Sequence, residues 1–500
     1  MFKERLKVEM RIKKIKETGL IALAMVGVTH GQENQLRFAG VFANNMVIQQ
    51  ESEAPIWGWT EPGESVKVKA GWGGRTISTK ADESGRWEVT MKTPKAGGPY
   101  KIEVRDGDEK VSLTNVLLGE VWICSGQSNM QWKMRGFGSE LFKKEIQAAK
   151  NDQIRLCTFP QILSLEEQED IATKWQACSP STVNSFSIVA YFFGKQLEEE
   201  LDVPIGLIST NWGGSRVEAW MSESALSAGG YSEFDEVVEK YEDIIKASGA
   251  VYPRGKKVSK GLNHCSPSVL YNHMIRPLIP MSFRGVIWYQ GESNVKAPEQ
   301  YARLFPDLIH DWRAKWGQGD FPFYYVQIAP FVYKAEKKPA ALLREAQLKT
   351  LSVPNTGMVV TMDVGDATNI HPKRKKPVAD RLVRLALAKT YGKEGISFSG
   401  PIYKSMTSSG KKVKLDFEHV GEGLASRDGE PLTHFQIAGS DKKFVPAQAE
   451  IEGESAIVWS DEISRPKAVR FGWGNADEPN FMNKEGLPAS SFRTDEWSFE

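Results

Sequence analysis

A serine at the end of an apolar stretch is the first residue whose position could support chemistry. Residues 117–124 are long enough for one buried strand and too short for a capped helix. The small polar residues that follow, up to Ser128 and Asn129, cannot continue such a strand. A strand that ends in a tight turn presents the next side chain at the carboxyl edge of a sheet, where open α/β folds collect their active sites. Ser128 is therefore the candidate nucleophile.

A serine hydroxyl is inert at neutral pH without a neighbouring base, and the chain offers seven histidines. His371 follows the last predicted strand of an α/β region, in a loop that can reach Ser128 at the same sheet edge. The sequence therefore predicts His371 as the base. The other six have less suitable positions, in a predicted export signal (His30), beside an irregular segment (His264, His273), within a predicted helix (His310) and in a terminal β-region (His419, His434).

A third residue should orient the imidazole and stabilise its cation. Asp363, Asp366 and Asn369 all lie close to His371 in sequence. Asp366 is preferred because it lies within the loop, whereas Asp363 ends a predicted strand and could point into the fold. Asn369 could orient the ring but could not offset its charge.

Acyl transfer also needs N–H donors directed at a developing oxyanion. Two loops that follow predicted strands are suitable, residues 210–215 with two adjacent glycines and residues 288–294 with side-chain amides. Glycine allows the backbone to approach a ligand closely. Either loop alone would be interpreted as a plain turn. Four such loops at the ends of strands in one sheet are harder to explain in that way.

The pattern of short segments predicts the strands and helices that position these loops. Residues 32–115 form strand-like runs at about ten-residue spacing, which is typical of a β-sandwich. Residues 116–394 alternate strand-like and helical runs, which predicts α/β structure with a parallel sheet. Residues 395–500 return to a β-rich pattern. The predicted strands are 116–124, 154–158, 205–210, 283–289, 323–328 and 358–362, and the predicted helices are 187–201, 234–247, 298–316, 340–351 and 377–391.

Composition and termini restrict the class of protein. The net charge of +1, from 64 basic and 63 acidic residues in 500, argues against a nucleic-acid partner. Residues 1–31 combine a basic segment with a short apolar core, which predicts a signal peptide and a secreted or periplasmic protein without stable membrane insertion after cleavage. Cys157 and Cys178 could pair in an oxidising compartment. The cysteine spacing does not match a zinc site, so no metal or cofactor is expected.

Four motifs together resemble the sialate O-acetylesterases, carbohydrate esterases of the SGNH-hydrolase superfamily. The resemblance covers nearly the whole mature chain. The motifs are Gly126-Gln-Ser-Asn-Met130, Gly213-Gly214 with Glu218-Ala-Trp-Met221, Trp288-Tyr-Gln-Gly-Glu-Ser-Asn294 and Asn369-Ile-His-Pro372.

The resemblance implies a flavodoxin-like three-layer α/β/α domain with β-rich accessory regions, and metal-free removal of acetyl groups from sugar hydroxyls. Ser128 would attack the acetyl carbonyl and His371 would act as base and then as acid. Gly214 and Gln290, with the Ser128 N–H, would hold the oxyanion. Many SGNH enzymes place Asp three residues before the histidine, where this chain has Thr368, so the third catalytic residue stays open between Asp366 and a Ser–His dyad.

Other interpretations remain open at this stage. Two β-rich regions and 15 tryptophans would also suit a non-catalytic glycan-binding protein. A peptidase or lipase is disfavoured because Ser128 lacks the Gly-x-Ser-x-Gly pattern. The sequence does not distinguish acetylated sialic acids from acetylated xylan or pectin, and it does not define the oligomeric state.

Overall fold

The computed structural model describes residues 35–136, 140–256, 258, 261–333 and 340–498. The predicted signal peptide, residues 1–31, lies outside the described residues. The chain divides into two compact units. The first contains the described residues up to Ala39 together with Pro55–Met91 and Lys101–Ser112, and the second contains Gly40–Ala54, Lys92–Tyr100 and the chain from Leu113 onward.

The strands up to residue 359 include all those of the first unit and the main sheet of the second. In the first unit, β4 alternates exposed and buried residues and pairs antiparallel with β5 and β7, as expected for a sheet with one buried face. The strands are β1 Arg37–Phe38, β2 Val47–Gln49, β3 Glu53–Trp59, β4 Ser65–Ala70, β5 Thr76–Lys80, β6 Arg86–Lys92, β7 Gly97–Asp106, β8 Glu109–Gly126, β9 Asn151–Thr158, β10 Ile162–Ser164, β11 Trp175–Cys178, β12 Ile205–Asn211, β13 Val251–Pro253, β14 Gly285–Tyr289, β15 Phe323–Val326 and β16 Thr356–Val359.

The second unit is organised around a mostly parallel sheet with strand order β11-β9-β12-β8-β14-β15-β16. All neighbours in this order are parallel except β11 and β9. The last part of β8 is buried throughout, as are β12 and β14 on either side of it, which explains its continuous apolar sequence. Strands are added first on one side of β8 and then on the other, so the order reverses at β8. The predicted mixed α/β class is confirmed.

Helices connect these strands. Residues 234–247 were predicted as one helix, and this is wrong because the helix is interrupted at Glu239 and Lys240. The α-helices are α1 Ser128–Gln131, α2 Lys143–Ala148, α3 Pro180–Val183, α4 Ile188–Leu201, α5 Glu223–Ala228, α6 Asp235–Val238, α7 Tyr241–Ser248, α8 Pro298–Trp316, α9 Ala341–Lys349 and α10 Lys376–Leu385.

The C-terminal β-rich region packs on the α/β part of the same unit. Arg344 of α9 is fully buried and donates to the carbonyls of Gly472 and Gly474 at 2.9 and 2.8 Å. Arg493 pairs with Glu345 at 3.0 Å. The strands of this region are β17 Ile402–Ser409, β18 Lys412–Glu418, β19 Leu424–Ser426, β20 Phe435–Ala438, β21 Phe444–Pro446, β22 Gln448–Glu452, β23 Ser455–Trp459, β24 Ala468–Phe471, β25 Phe481–Asn483 and β26 Phe492–Arg493.

The four cysteines are free thiols, so the pairing of Cys157 with Cys178 that the sequence left open is not formed here. Both side chains are buried in the second unit. Within the described ranges, none of the helices combines the length and apolar character needed to cross a bilayer.

Candidate active site

Ser128 lies at the carboxyl edge of the sheet because β8 ends in a turn that only glycine can form. Gly126 has φ +132°, and a Cβ there would lie 2.2 Å from the carbonyl oxygen of Tyr289. Gln127 then donates its N–H to that carbonyl at 2.9 Å, which fixes the turn against β14. Ser128 follows as the first residue of α1 and is half-buried.

The structure brings His371 to Ser128. Nε2 of His371 lies 2.8 Å from Oγ of Ser128, although the two residues are 243 positions apart. Asn369 holds the histidine loop by accepting the N–H of His371 at 2.9 Å. A hydroxyl within hydrogen-bond distance of an imidazole is the arrangement that activates a serine nucleophile.

The imidazole of His371 stacks on Trp132, with ring centroids 5.1 Å apart and an interplanar angle of 29°. Burial lowers the pKa of His371 from its ordinary value of 6.5, and the nearby Lys375 lowers it further. Both effects disfavour the imidazolium form and so favour the neutral ring, which can accept a proton.

The structure does not bring Asp366 to the imidazole. Its Oδ1 accepts the N–H groups of Thr368 and Asn369 at 2.9 and 3.1 Å, and these bonds help to lower its pKa. Asp363 also has another partner, because it forms a 2.6 Å ion pair with Arg381. Among the described residues, no carboxylate hydrogen-bonds to the ring of His371. Asp366 therefore organises the loop, and its predicted role in orienting the ring stays a prediction.

Replacing Asp366 with asparagine tests that role. The amide oxygen can still accept the loop N–H groups, so we expect kcat on p-nitrophenyl acetate to fall by less than about tenfold. Loss of a carboxylate that orients the histidine of a triad costs about 10⁴-fold in kcat. A loss of that size, in a variant that unfolds at the wild-type temperature, would show that Asp366 acts on the ring.

Two backbone N–H groups at the site are available as hydrogen-bond donors. Those of Ser128 and Gly214 have no acceptor among the described residues. Gly213 packs directly on the serine, since a Cβ there would lie 3.2 Å from the Ser128 Cβ, and its N–H donates to Oε1 of Gln131 at 2.6 Å. Gly214 has φ +80°, a conformation that favours glycine. These positions suit donors to an oxyanion.

Gln290 is placed differently from the donor that the resemblance implied. Its side chain is fully buried, and Nε2 donates to the carbonyl of Ser215 at 3.2 Å and to Oδ1 of Asn294 at 2.7 Å. Gln290 therefore holds the loop beside Gly214 in place. Direct donation to an oxyanion would require its amide to leave both acceptors, so that role stays a prediction.

A cavity of about 440 Å³ adjoins the serine through Trp212 and Gly213. His264 forms one wall by stacking on Trp212, with ring centroids 5.4 Å apart and an interplanar angle of 7°. Arg254 and Lys256 also line the cavity, and its lining contains no carboxylate. Burial and the charge of Arg254 lower the pKa of His264. The cavity therefore combines flat ring surfaces with two positive charges.

Sequence reasoning gave no role to four residues of the site. Trp132 stacks on His371, and Asn129, Glu292 and Lys375 form a buried cluster beneath the pair. Asn129 and Glu292 lay in recognised motifs, but Lys375 carried no signal beyond its nearness to His371. In the part of the chain that the structure describes, no group of three His, Cys, Asp or Glu side chains has the geometry to hold a metal ion.

The sheet-edge serine with its histidine is the arrangement of a serine hydrolase, and comparisons with known proteins specify the family. Residues 118–382 match the family model of carbohydrate esterases described as sialic acid-specific acetylesterases. The chain belongs to this family. Sialate O-acetylesterases of Homo sapiens and Mus musculus are both 33% identical to it, over 91% of this chain and 92% of each relative.

A solved structure has the same fold. The crystal structure of a carbohydrate acetylesterase from Xanthomonas citri is 36% identical in sequence and superposes with a TM-score of 0.81. The match covers 92% of this chain and all of the other. The likeness therefore extends well beyond the residues of the family model.

Proposed function

We propose that this protein is a carbohydrate O-acetylesterase that releases acetate from O-acetylated acidic sugars, with sialic acids as the first candidates. The observation that carries the proposal is the 2.8 Å separation between Nε2 of His371 and Oγ of Ser128. Membership of a carbohydrate esterase family supports an ester of a sugar as the substrate. We also propose that the parallel sheet belongs to a three-layer SGNH-type domain, with an N-terminal β-sandwich as an accessory region.

The proposed reaction has two steps that share one base. Oγ of Ser128 attacks the acetyl carbonyl while its proton moves to Nε2 of His371. The N–H groups of Ser128 and Gly214 would stabilise the resulting oxyanion. The intermediate then collapses, the bond to the sugar oxygen breaks, and this oxygen takes the proton from His371. Water attacks the acetyl-enzyme with His371 again as base, which releases acetate and restores the Ser128 hydroxyl.

The cavity beside Trp212 supports acidic sugars over neutral ones. A sugar ring can stack on flat aromatic surfaces, and a carboxylate of the same sugar would be attracted by Arg254 and Lys256. Neutral acetylated xylan offers no charge for these residues. Acetate release from acetylated sialosides, pectin and xylan would test the proposal, and a clear preference for xylan would overturn the acidic-sugar assignment.

The Arg254→Met variant tests the cavity directly. We expect KM for an acetylated sialoside to rise about tenfold, because a charge-assisted hydrogen bond contributes about 1.5–3 kcal/mol. KM for p-nitrophenyl acetate should not change. Lys240→Met removes an exposed cation outside the cavity and serves as the control. Equal changes on both substrates would show that Arg254 does not recognise the carboxylate.

Export of the protein is a further part of the proposal, supported by the sequence of residues 1–31. Expression of the full chain in a bacterial host, followed by fractionation and N-terminal sequencing, tests it. A mature protein that begins near residue 32 and lies outside the cytoplasm is expected. Retention of the intact N-terminus in the cytoplasm would contradict it.

A further inference from the structure

Three buried polar side chains form a hydrogen-bonded cluster that adjoins Ser128 and His371 through Asn129. Asn129 and Lys375 are fully buried, and Glu292 is 6% exposed. Nδ2 of Asn129 donates to Oε1 of Glu292 at 2.5 Å, and Oδ1 of Asn129 accepts a short hydrogen bond from Nζ of Lys375. The order Glu292–Asn129–Lys375 therefore places one amide between a carboxyl and an amine.

Asn129 also connects the two halves of the candidate active site. It follows Ser128 in α1, and its Nδ2 donates a second hydrogen bond to the carbonyl of Ile370 at 3.1 Å. Ile370 directly precedes His371, so one side chain joins the serine turn to the histidine loop. A small displacement of either element would disturb the 2.8 Å contact between the reacting groups.

Lys375 and Glu292 each oppose the effect of burial on the other's pKa. Burial lowers the pKa of Lys375 to about 7, while the Glu292 carboxylate opposes that shift. Burial likewise raises the pKa of Glu292, which Asn129 and Lys375 oppose. Nζ of Lys375 lies 5.4 Å from the ring centroids of both Trp132 and Tyr289, and such faces stabilise a cation. These contacts favour the protonated form of Lys375.

Lys375 is the charged group that faces His371. It lies next to Trp132, on which the imidazole stacks, and its charge lowers the pKa of His371. Two nearby carboxylates have other partners, since Asp363 pairs with Arg381 and Asp366 binds its own loop. The phenol of Tyr289 stays neutral, because burial raises its pKa well above the ordinary value.

We propose that Glu292, Asn129 and Lys375 form a positioning unit that holds Ser128 against His371 and places a buried positive charge near the imidazole. The unit contacts the histidine loop at the carbonyl of Ile370, whereas the carboxylate of a Ser–His–Asp triad contacts the ring itself. Glu292 acts at a distance, because its carboxylate retains the proton on Lys375. The inference concerns how the residues of the proposed esterase are held, and it rests on that function.

The Glu292→Gln variant separates this unit from a conventional triad. The amide oxygen can still accept the hydrogen bond from Asn129, but Lys375 loses its counter-charge and deprotonates. With that cation gone, the pKa of His371 should rise. A carboxylate that stabilised the imidazolium directly would give the opposite sign, since its removal would lower the pKa of His371.

The measurement is an NMR titration of ¹³C-labelled histidine in the full chain, with the His371 signal assigned by its loss in His371→Gln. Lys375→Met and the double variant Lys375→Met/Glu292→Gln should raise the pKa of His371 as Glu292→Gln does, because all three remove the same charge. The acid limb of kcat/KM, which is its rise with pH on the acidic side, should move to higher pH by the same amount. Thermal unfolding identifies any variant that does not fold, and Glu292→Gln alone suffices for the test.

An unchanged or lowered pKa of His371 in folded Glu292→Gln would overturn the inference. NMR reports this value whether or not the protein hydrolyses esters, so the positioning unit and the proposed function fail independently. Wild-type protein that releases no acetate would refute the function alone. A loss of kcat that is equal at every pH, without movement of the acid limb, would show a purely structural role.

Discussion

Replacing Ser128 with alanine is expected to lower kcat on p-nitrophenyl acetate by about 10⁴–10⁶-fold, as removal of the nucleophile does in serine hydrolases. The side chain is half-buried, and among the described residues its hydroxyl hydrogen-bonds only to His371, so the fold should be retained. Stopped-flow and long-time absorbance measurements cover this range of rates.

Ser125→Ala is the matched control for this prediction. Ser125 lies on β8, the strand that precedes Ser128, is fully buried, and its hydroxyl has no hydrogen-bond partner among the described residues. Removing an unsatisfied buried hydroxyl should not reduce stability. We expect this variant to hydrolyse the ester at close to the wild-type rate. Similar activity in the Ser128→Ala and Ser125→Ala variants would refute the assignment of the nucleophile.

Replacing His371 with glutamine is expected to reduce kcat by about 10⁴–10⁶-fold, because no other base lies within hydrogen-bond distance of the Ser128 hydroxyl among the described residues. The pH dependence gives a second readout. The pKa of His371 lies below its ordinary value of 6.5, so wild-type kcat/KM should rise with pH through a midpoint below 6.5 and then level. The variant should lack this limb.

His310→Gln is the control for the histidine prediction. His310 is exposed on α8, away from the loops that carry Ser128 and His371. This variant should keep both the rate and the acid limb of the wild-type protein. A His371→Gln variant that retained the acid limb would assign the limb to another group and contradict the role of His371.

The sequence was sufficient to predict the parts of the fold that depend on local pattern. The buried end of β8 and strands β12 and β14 are mostly apolar, and helix α8 was predicted at its observed bounds, Pro298–Trp316. The packing of the C-terminal region could not be predicted. It depends on Arg344, a residue type expected at the surface, which is buried against carbonyls more than 120 residues away.

The candidate site, like the fold, could be predicted from the sequence only in part. Ser128 and His371 could be proposed because both follow strands, and strand ends of a parallel sheet share one edge. Asp366 was preferred because it lies within the loop, but its position in the sequence cannot tell whether the carboxylate points at the ring or at its own loop. The burial of the charged residues Lys375 and Glu292 could not be predicted from the sequence, for a different reason. Each is tolerated in the core only because the other is present, and that pairing exists only in the folded chain.

The most direct test of the account is covalent labelling with a phosphonofluoridate, which reacts with an activated serine. We predict complete loss of esterase activity with one adduct, located by peptide mass spectrometry on Ser128. The His371→Gln variant should label far more slowly, because its serine lacks the base. Inactivation with the adduct on another residue, or full activity in protein whose Ser128 carries the adduct, would contradict the account.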